Sequence, residues 1–151
     1  MPQPNEILRS ARRILLVDWP NPGLPRALVE AGFTVFGASP GRYSAVELVP
    51  APPEGIDSSQ VYPPQQGESG YLVFQKLVEP PSDIDIVHVY RPEPEHAGIV
   101  ATHVVPLGAK VLWLHPSVRS GAARELARDH KLDLVEGVDI AAEASQLVKQ
   151  K

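Results

Sequence analysis

Two arginines, three aromatic rings and a histidine fall where short apolar runs of this chain end. Asp18-Trp19-Pro20-Asn21-Pro22-Gly23 follows the run Arg13–Val17, and Ala38-Ser39-Pro40-Gly41-Arg42-Tyr43 follows Phe33–Gly37. Tyr90-Arg91-Pro92 ends the run that starts at Ile84, and His115-Pro116-Ser117 ends Lys110–Leu114. Arg42 and Arg91 carry planar guanidinium forks that match phosphate oxygens. Trp19, Tyr43 and Tyr90 offer ring faces to a base. Helix starts beside these corners offer free backbone amides to a pyrophosphate. His115 can donate to a phosphate or exchange a proton. The mixture points to a phosphorylated ligand that bears an aromatic group.

Each of these residues also has a use that involves no ligand. Arg91 can pair with Asp18, Glu93 or Glu95, and Arg42 can be a solvated loop arginine. Trp19 can plug the site instead of stacking on a ligand. Asp18 can cap a helix or join an ion pair. A general-base role for Asp18 needs a partner, and an Asp18–His115 enzyme requires those two groups to converge. His96 and His103, seven apart on one expected helix, lack a third ligand for a metal. His103 lies among apolar positions and reads as a partly buried histidine, and Trp113 reads as core.

The elements that must hold these corners alternate along the chain. Arg13–Val17 suits a strand buried on both faces. Leu24, Ala27, Leu28 and Ala31 recur at helical spacing, and Gly32 ends that helix. Phe33–Gly37 is the next strand and Ile84–Tyr90 a third, rich in β-branched residues. A helix begins near Pro94, with Ile99, Val100, His103, Val104 and Leu107 on its apolar face, and Gly108 ends it. Lys110–Leu114 is another buried strand; Val118, Ala122 and Leu126 mark a helix, and Leu132–Val135 a short strand. Ile140, Ala144, Leu147 and Val148 form a last amphipathic helix with Asp139 at its N-cap. Strands alternating with helices imply parallel pairing through right-handed crossovers. The expected fold is α/β: a Rossmann-like, doubly wound, mostly parallel sheet with helices on both faces. Its ligand edge lies beyond the carboxyl ends of the strands.

Seven of the 17 prolines lie between residues 50 and 81. Each removes a backbone donor and restricts the residue before it. The segment is expected to be an irregular connection with a short strand near Gln60–Tyr62 and a helical turn or two around Tyr71–Val78. Residues 1–12 read as an N-terminal extension or short helix. The 151 residues suit a single domain, which at this size buries roughly 68–70% of its unfolded surface. A net charge of −4 with scattered cations disfavours nucleic-acid binding. No apolar run reaches the roughly 18 residues of a membrane span, and no secretory signal is recognisable. The chain has no cysteine, which excludes thiol chemistry and fits a cytoplasmic location.

The segment from Asp85 to Arg128 also resembles a known family, the small standalone CoA-binding proteins. Their Rossmann-like domain is similar to the N-terminal domain of the succinyl-CoA synthetase α subunit. The family's Asp-Ile-Val, aromatic-Arg-Pro corner corresponds to Asp85-Ile86-Val87-His88-Val89-Tyr90-Arg91-Pro92. Its Gly-Ala-Lys, Leu-Trp-Leu strand corresponds to Gly108–Leu114, and its alanine-rich helix to Ala122–Arg128. The resemblance spans roughly residues 13–140. It implies a protein that binds CoA or acyl-CoA and has no catalysis of its own. It would place the nucleotide end at Ser39, Pro40, Arg42 and Tyr43, and the pyrophosphate near residues 18–26, including Asn21. Arg91 or His115 would lie beside the pantetheine path, and Tyr90 is among the expected cofactor-binding residues.

The corners depart from that pattern. A family glycine and small residue after the first strand are replaced by Asp18-Trp19, which puts a carboxylate and an indole where backbone meets phosphate. Arg-Pro-Ser at the next helix start becomes Leu24-Pro25-Arg26, with Arg26 as a replacement cation. Asn-Pro becomes Ser39-Pro40, and a later Gln and Gly become His115 and Ser117. The alternative expectation is a degenerate domain that has lost nucleotide binding and holds a protein partner or a small anion.

Overall fold

The computed structural model describes residues 3–39 and 42–149. In chain order its elements are α1 (Pro4–Ser10), β1 (Arg13–Val17), α2 (Gly23–Glu30), β2 (Thr34–Ser39), β3 (Arg42–Val49), β4 (Val61–Tyr62), β5 (Tyr71–Lys76) and β6 (Ile86–Val89). α3 (His96–Ile99), β7 (Val111–Leu114), α4 (Gly121–His130), β8 (Asp133–Val135) and α5 (Ile140–Lys149) follow. The eight strands form one sheet in the order β4-β5-β3-β2-β1-β6-β7-β8. β2, β1, β6, β7 and β8 run parallel. β3, β5 and β4 extend the sheet beyond β2 in antiparallel pairs. The fold is the expected α/β one. The strand order reverses between β1 and β6, a point at which open α/β sheets leave a crevice beyond the carboxyl ends of their strands.

Alternation along each strand splits the core in two. Ile14, Leu16, Ile86 and Trp113 face α1, α2 and α5 through Leu8, Leu28, Ile140 and Ala144. Leu15, Val17, Val87, Val89 and Leu112 face α3 and α4 through Ile99, Val100, Val104 and Ala123. Trp113 is wholly buried and its indole N–H donates to the Val138 carbonyl at 2.9 Å. The Asp139 carboxylate caps α5 by accepting from the Ala141 and Ala142 amides. Gly32, at φ +100°, turns the chain out of α2.

Three local expectations are corrected. Tyr71–Lys76 is a strand, not helical turns; Leu72, Val73 and Phe74 are buried against β3. Arg42 and Tyr43 are not part of a loop but open β3, an eight-residue strand hairpinned onto β2. Its alternating, half-exposed pattern lacks the continuous apolar run of a central strand. The helix near Pro94 is not uniform. A 3₁₀ turn (Glu93–Glu95) leads into α3, and a π turn (Val100–Val104) follows, closed by Val105 N–H on the Val100 carbonyl.

Candidate functional site

Val17 ends β1, and Asp18 turns the chain at φ +63°. This left-handed conformation costs residues with a Cβ, and aspartate is among the few that tolerate it. The backbone therefore makes a turn that favours glycine while carrying a carboxylate. That carboxylate accepts the Trp19 amide on Oδ1 at 2.9 Å and Arg91 Nη1 on Oδ2 at 3.0 Å. Glu95, four residues on, takes Arg91 Nε at 3.0 Å and Nη2 at 2.7 Å. The hydrogen bonds to Glu95 and then Asp18 raise the guanidinium pKa above its usual range. The hydrogen bond from Arg91 holds the Glu95 carboxyl below its usual value. Each terminal nitrogen of Arg91 keeps one N–H for a further acceptor.

His96 fixes this corner from below. Its Nε2 lies 2.7 Å from the Arg91 carbonyl, which can only accept, so Nε2 carries the proton. The Ser120 hydroxyl then donates to Nδ1 at 2.7 Å, while its oxygen caps α4 by accepting the Ala123 amide. The corner after β6 is thus tied to the start of α4.

Asp18, Arg91 and Glu95 line a cavity of about 430 Å³ over the carboxyl ends of β1 and β2. Asp18, Arg42, Arg91 and Glu95 supply its charge, and Val17, Ala38 and Ile99 its apolar wall. Tyr43 and His103 hydrogen-bond across it through the phenol and Nδ1. Burial raises the Tyr43 pKa and lowers that of His103. The neutral phenol therefore donates to the neutral imidazole.

Trp19 lies on the opposite face of the sheet. Its ring stacks on Phe74, with centroids 5.0 Å apart and planes 11° from parallel, and its edge rests on Gly37. A Cβ at Gly37 would stand 2.9 Å from Trp19 Cη2. Gly37→Val should therefore push the indole out, shift tryptophan emission to the red and cost about 1–3 kcal/mol in denaturant unfolding. An unchanged spectrum and midpoint would refute that packing.

The other expected site residues are dispersed. Asn21 Oδ1 accepts the Gly23 amide at 3.0 Å and shapes the start of α2. Arg26 is buried and engaged elsewhere. It donates to the Ser69 and Gly70 carbonyls at 3.3 and 3.0 Å and meets Glu68 at 3.4 Å. Ser39 pairs with Arg42 at the end of the hairpin, and Pro40 lies outside the described residues. Tyr90 stands edge-on to His115, with centroids 4.8 Å apart. His115 Nδ1 accepts the Ser117 amide at 3.1 Å, which leaves the ring proton on Nε2. Asp18 and His115 have separate partners, so the two are not joined as an acid–base pair. Sequence reasoning missed the Tyr43–His103 bond. Its signal, a histidine among apolar positions, gave no hint of which strand would face it.

Several solved structures share this fold and are matched over nearly their whole length. One, designated cell-free ID.343 from Thermus thermophilus, is 16% identical, with 97% of this chain and 99% of that one covered and a TM-score of 0.64. Another, Prb, a protein redesigned for binding, is 20% identical over 98% and 92% of the two chains, with a TM-score of 0.63. A hypothetical protein from Pyrococcus horikoshii OT3 is 19% identical over 96% and 89%, with a TM-score of 0.57. Identities this low speak for the fold alone. No curated protein matches the chain. A family model described as CoA binding domain matches residues 31–142, from the end of α2 into the start of α5. That range takes in the β6 corner with Arg91 and the β7 strand with Trp113, and the chain belongs to the CoA binding domain family.

Proposed function

We propose that this chain binds CoA or an acyl-CoA at the carboxyl edge of its sheet and performs no reaction of its own. The observation that carries this is the cavity at the strand-order reversal, where Arg42, Arg91 and the Tyr43–His103 pair meet an apolar wall. Arg42 at the β3 start suits the nucleotide end, the Asp18 turn the pyrophosphate, and the wall of Val17, Ala38 and Ile99 the pantetheine arm. The separate partners of Asp18 and His115 support binding without proton transfer. Among the described residues no helix is long and apolar enough to cross a membrane.

Calorimetric titration tests the reading. CoA, acetyl-CoA or a longer acyl-CoA should give saturable heat, and Arg91→Gln should weaken binding about tenfold, as loss of a charge-assisted contact does. Absence of heat with all three at millimolar concentration would sink it.

The clamping of Arg91 between Asp18 and Glu95 favours a second reading, a domain whose anion seat is filled from within and whose surface holds a protein. Recovery of a stoichiometric protein partner with no retained nucleotide would support that reading over the first.

A further inference from the structure

We infer that the antiparallel end of the sheet carries a second ligand site, built for a planar aromatic anion of the mononucleotide class. A cavity of about 540 Å³ opens there on the α2 side, across the sheet from the Asp18–Arg91 cavity, and Arg42 at the sheet edge lines both. Its floor is Gly37, Ser44 and Phe74, from β2, β3 and β5. Trp19 forms one wall, and the segment from Gly55 to Tyr62, outside the parallel core, forms the other.

Two features select the ligand. The first is aromatic surface. Phe74 is buried between Trp19, stacked at 5.0 Å, and Tyr62, edge-on at 5.6 Å. Trp19 and Tyr62 remain part-exposed at the cavity, where a flat ring can lie against them. The second is unspent positive charge. Lys76 is paired across the ladder with Ser44, and Arg42 lies two residues from Ser44 on the same face. They are diagonal neighbours, a relation that spans roughly 7–8 Å between backbones. Neither side chain makes an ion pair or hydrogen bond with a described residue. Two flexible cations at that spacing can close on one phosphate or carboxylate.

The opposite wall is polar and already ordered. Asp57 accepts the Ser59 amide and hydroxyl, each at 2.9 Å, and the amide bond lowers its carboxyl pKa. Its remaining lone pairs and the Gln60 amide suit the hydroxyls of a sugar or an exocyclic amine. An inorganic ion would leave most of this volume unfilled, and a neutral sugar would leave both cations unused. A ring that carries an anion uses both features.

The site does not require CoA to bind in the first cavity, and Trp19 provides its own reporter. The other tryptophan, Trp113, is wholly buried and bonded to Val138, so a change in emission on binding reads Trp19. AMP should quench that emission saturably, and adenosine or inorganic phosphate alone should bind about tenfold more weakly, since each offers half of the recognised chemistry. Lys76→Gln, at an exposed position, should weaken AMP about fivefold to tenfold with no change in melting. Trp19→Phe should abolish the signal while calorimetry still detects AMP.

Equal binding of AMP and adenosine, equal binding by Lys76→Gln and the natural chain, or no response to about 10 mM AMP would each overturn the site. Competition between CoA and AMP would make the site the seat of CoA's own nucleotide end. AMP binding unaffected by saturating CoA would make it a separate mononucleotide site. The first result would overturn a second site, and the second upholds it. Heat with CoA but no Trp19 response to any nucleotide overturns this site and leaves the CoA reading intact.

Discussion

An Asp18→Gly variant is expected to bind CoA about tenfold more tightly than the natural chain in low salt. The Asp18 carboxylate already holds two donors that a ligand phosphate would take, the Trp19 amide and Arg91 Nη1. It is an anion supplied from within, and an incoming phosphate must displace it or lie beside a like charge. Glycine removes the carboxylate and favours the φ of +63° that the backbone adopts there. The melting temperature should therefore stay within a few degrees of the natural value, because half-exposed ion pairs contribute little.

Asp18→Asn separates charge from hydrogen bonding, since the amide oxygen can still accept the Trp19 N–H, and an intermediate gain is expected. Arg91 and Asp18 are about two-fifths exposed, so added salt should erode the difference among the three proteins. Weaker binding by Asp18→Gly would show that the carboxylate contacts the ligand instead of competing with it. If neither form binds CoA, the CoA reading itself fails.

The corner that makes this prediction was legible only in part. The strands β1, β6 and β7 announce themselves as short apolar runs, because both of their faces are covered. The corners then follow from topology, and Asp18 and Glu95 were among the partners open to Arg91. Of the antiparallel extension only the short strand expected near Gln60–Tyr62, found at Val61–Tyr62, was legible. Residues Arg42–Val49 alternate weakly on a half-exposed surface, and Tyr71–Phe74 is too short for periodicity to separate strand from helix among so many prolines. The direction of the Trp19 ring depends on that missing extension. Phe74 comes from β5, and only the absence of a Cβ at Gly37 lets the indole rest on β2. Arg26 is hidden for the same reason, since its acceptors, Ser69 and Gly70, belong to the turn before β5. Long-range pairing placed these side chains, and no local pattern encodes it.

His88 is the residue on which stability should depend most strongly through pH. It lies at the centre of β6 between Leu16 and Trp113, fully buried, and neither ring nitrogen has a hydrogen-bond partner among the described residues. Desolvation, and secondarily the neighbouring His115, lowers its pKa from 6.5 to about 3. The folded state thus binds this proton less readily than the unfolded one. Its contribution is complete above about pH 6.5 and is lost as pH falls from there toward 3, because protons then favour the unfolded chain. The loss should be on the order of 1 kcal/mol for each pH unit in that window.

His88→Leu replaces the ring with an apolar side chain of similar size and removes both unsatisfied nitrogens. It should raise stability at pH 7 by about 1–3 kcal/mol. Urea unfolding of both proteins from pH 7 to pH 4.5 isolates this group, because the remaining titrating residues are common to the pair. The gap between them should widen steadily toward acid. A constant gap, or a less stable variant at pH 7, would mean that the imidazole gains more from its surroundings than its burial costs.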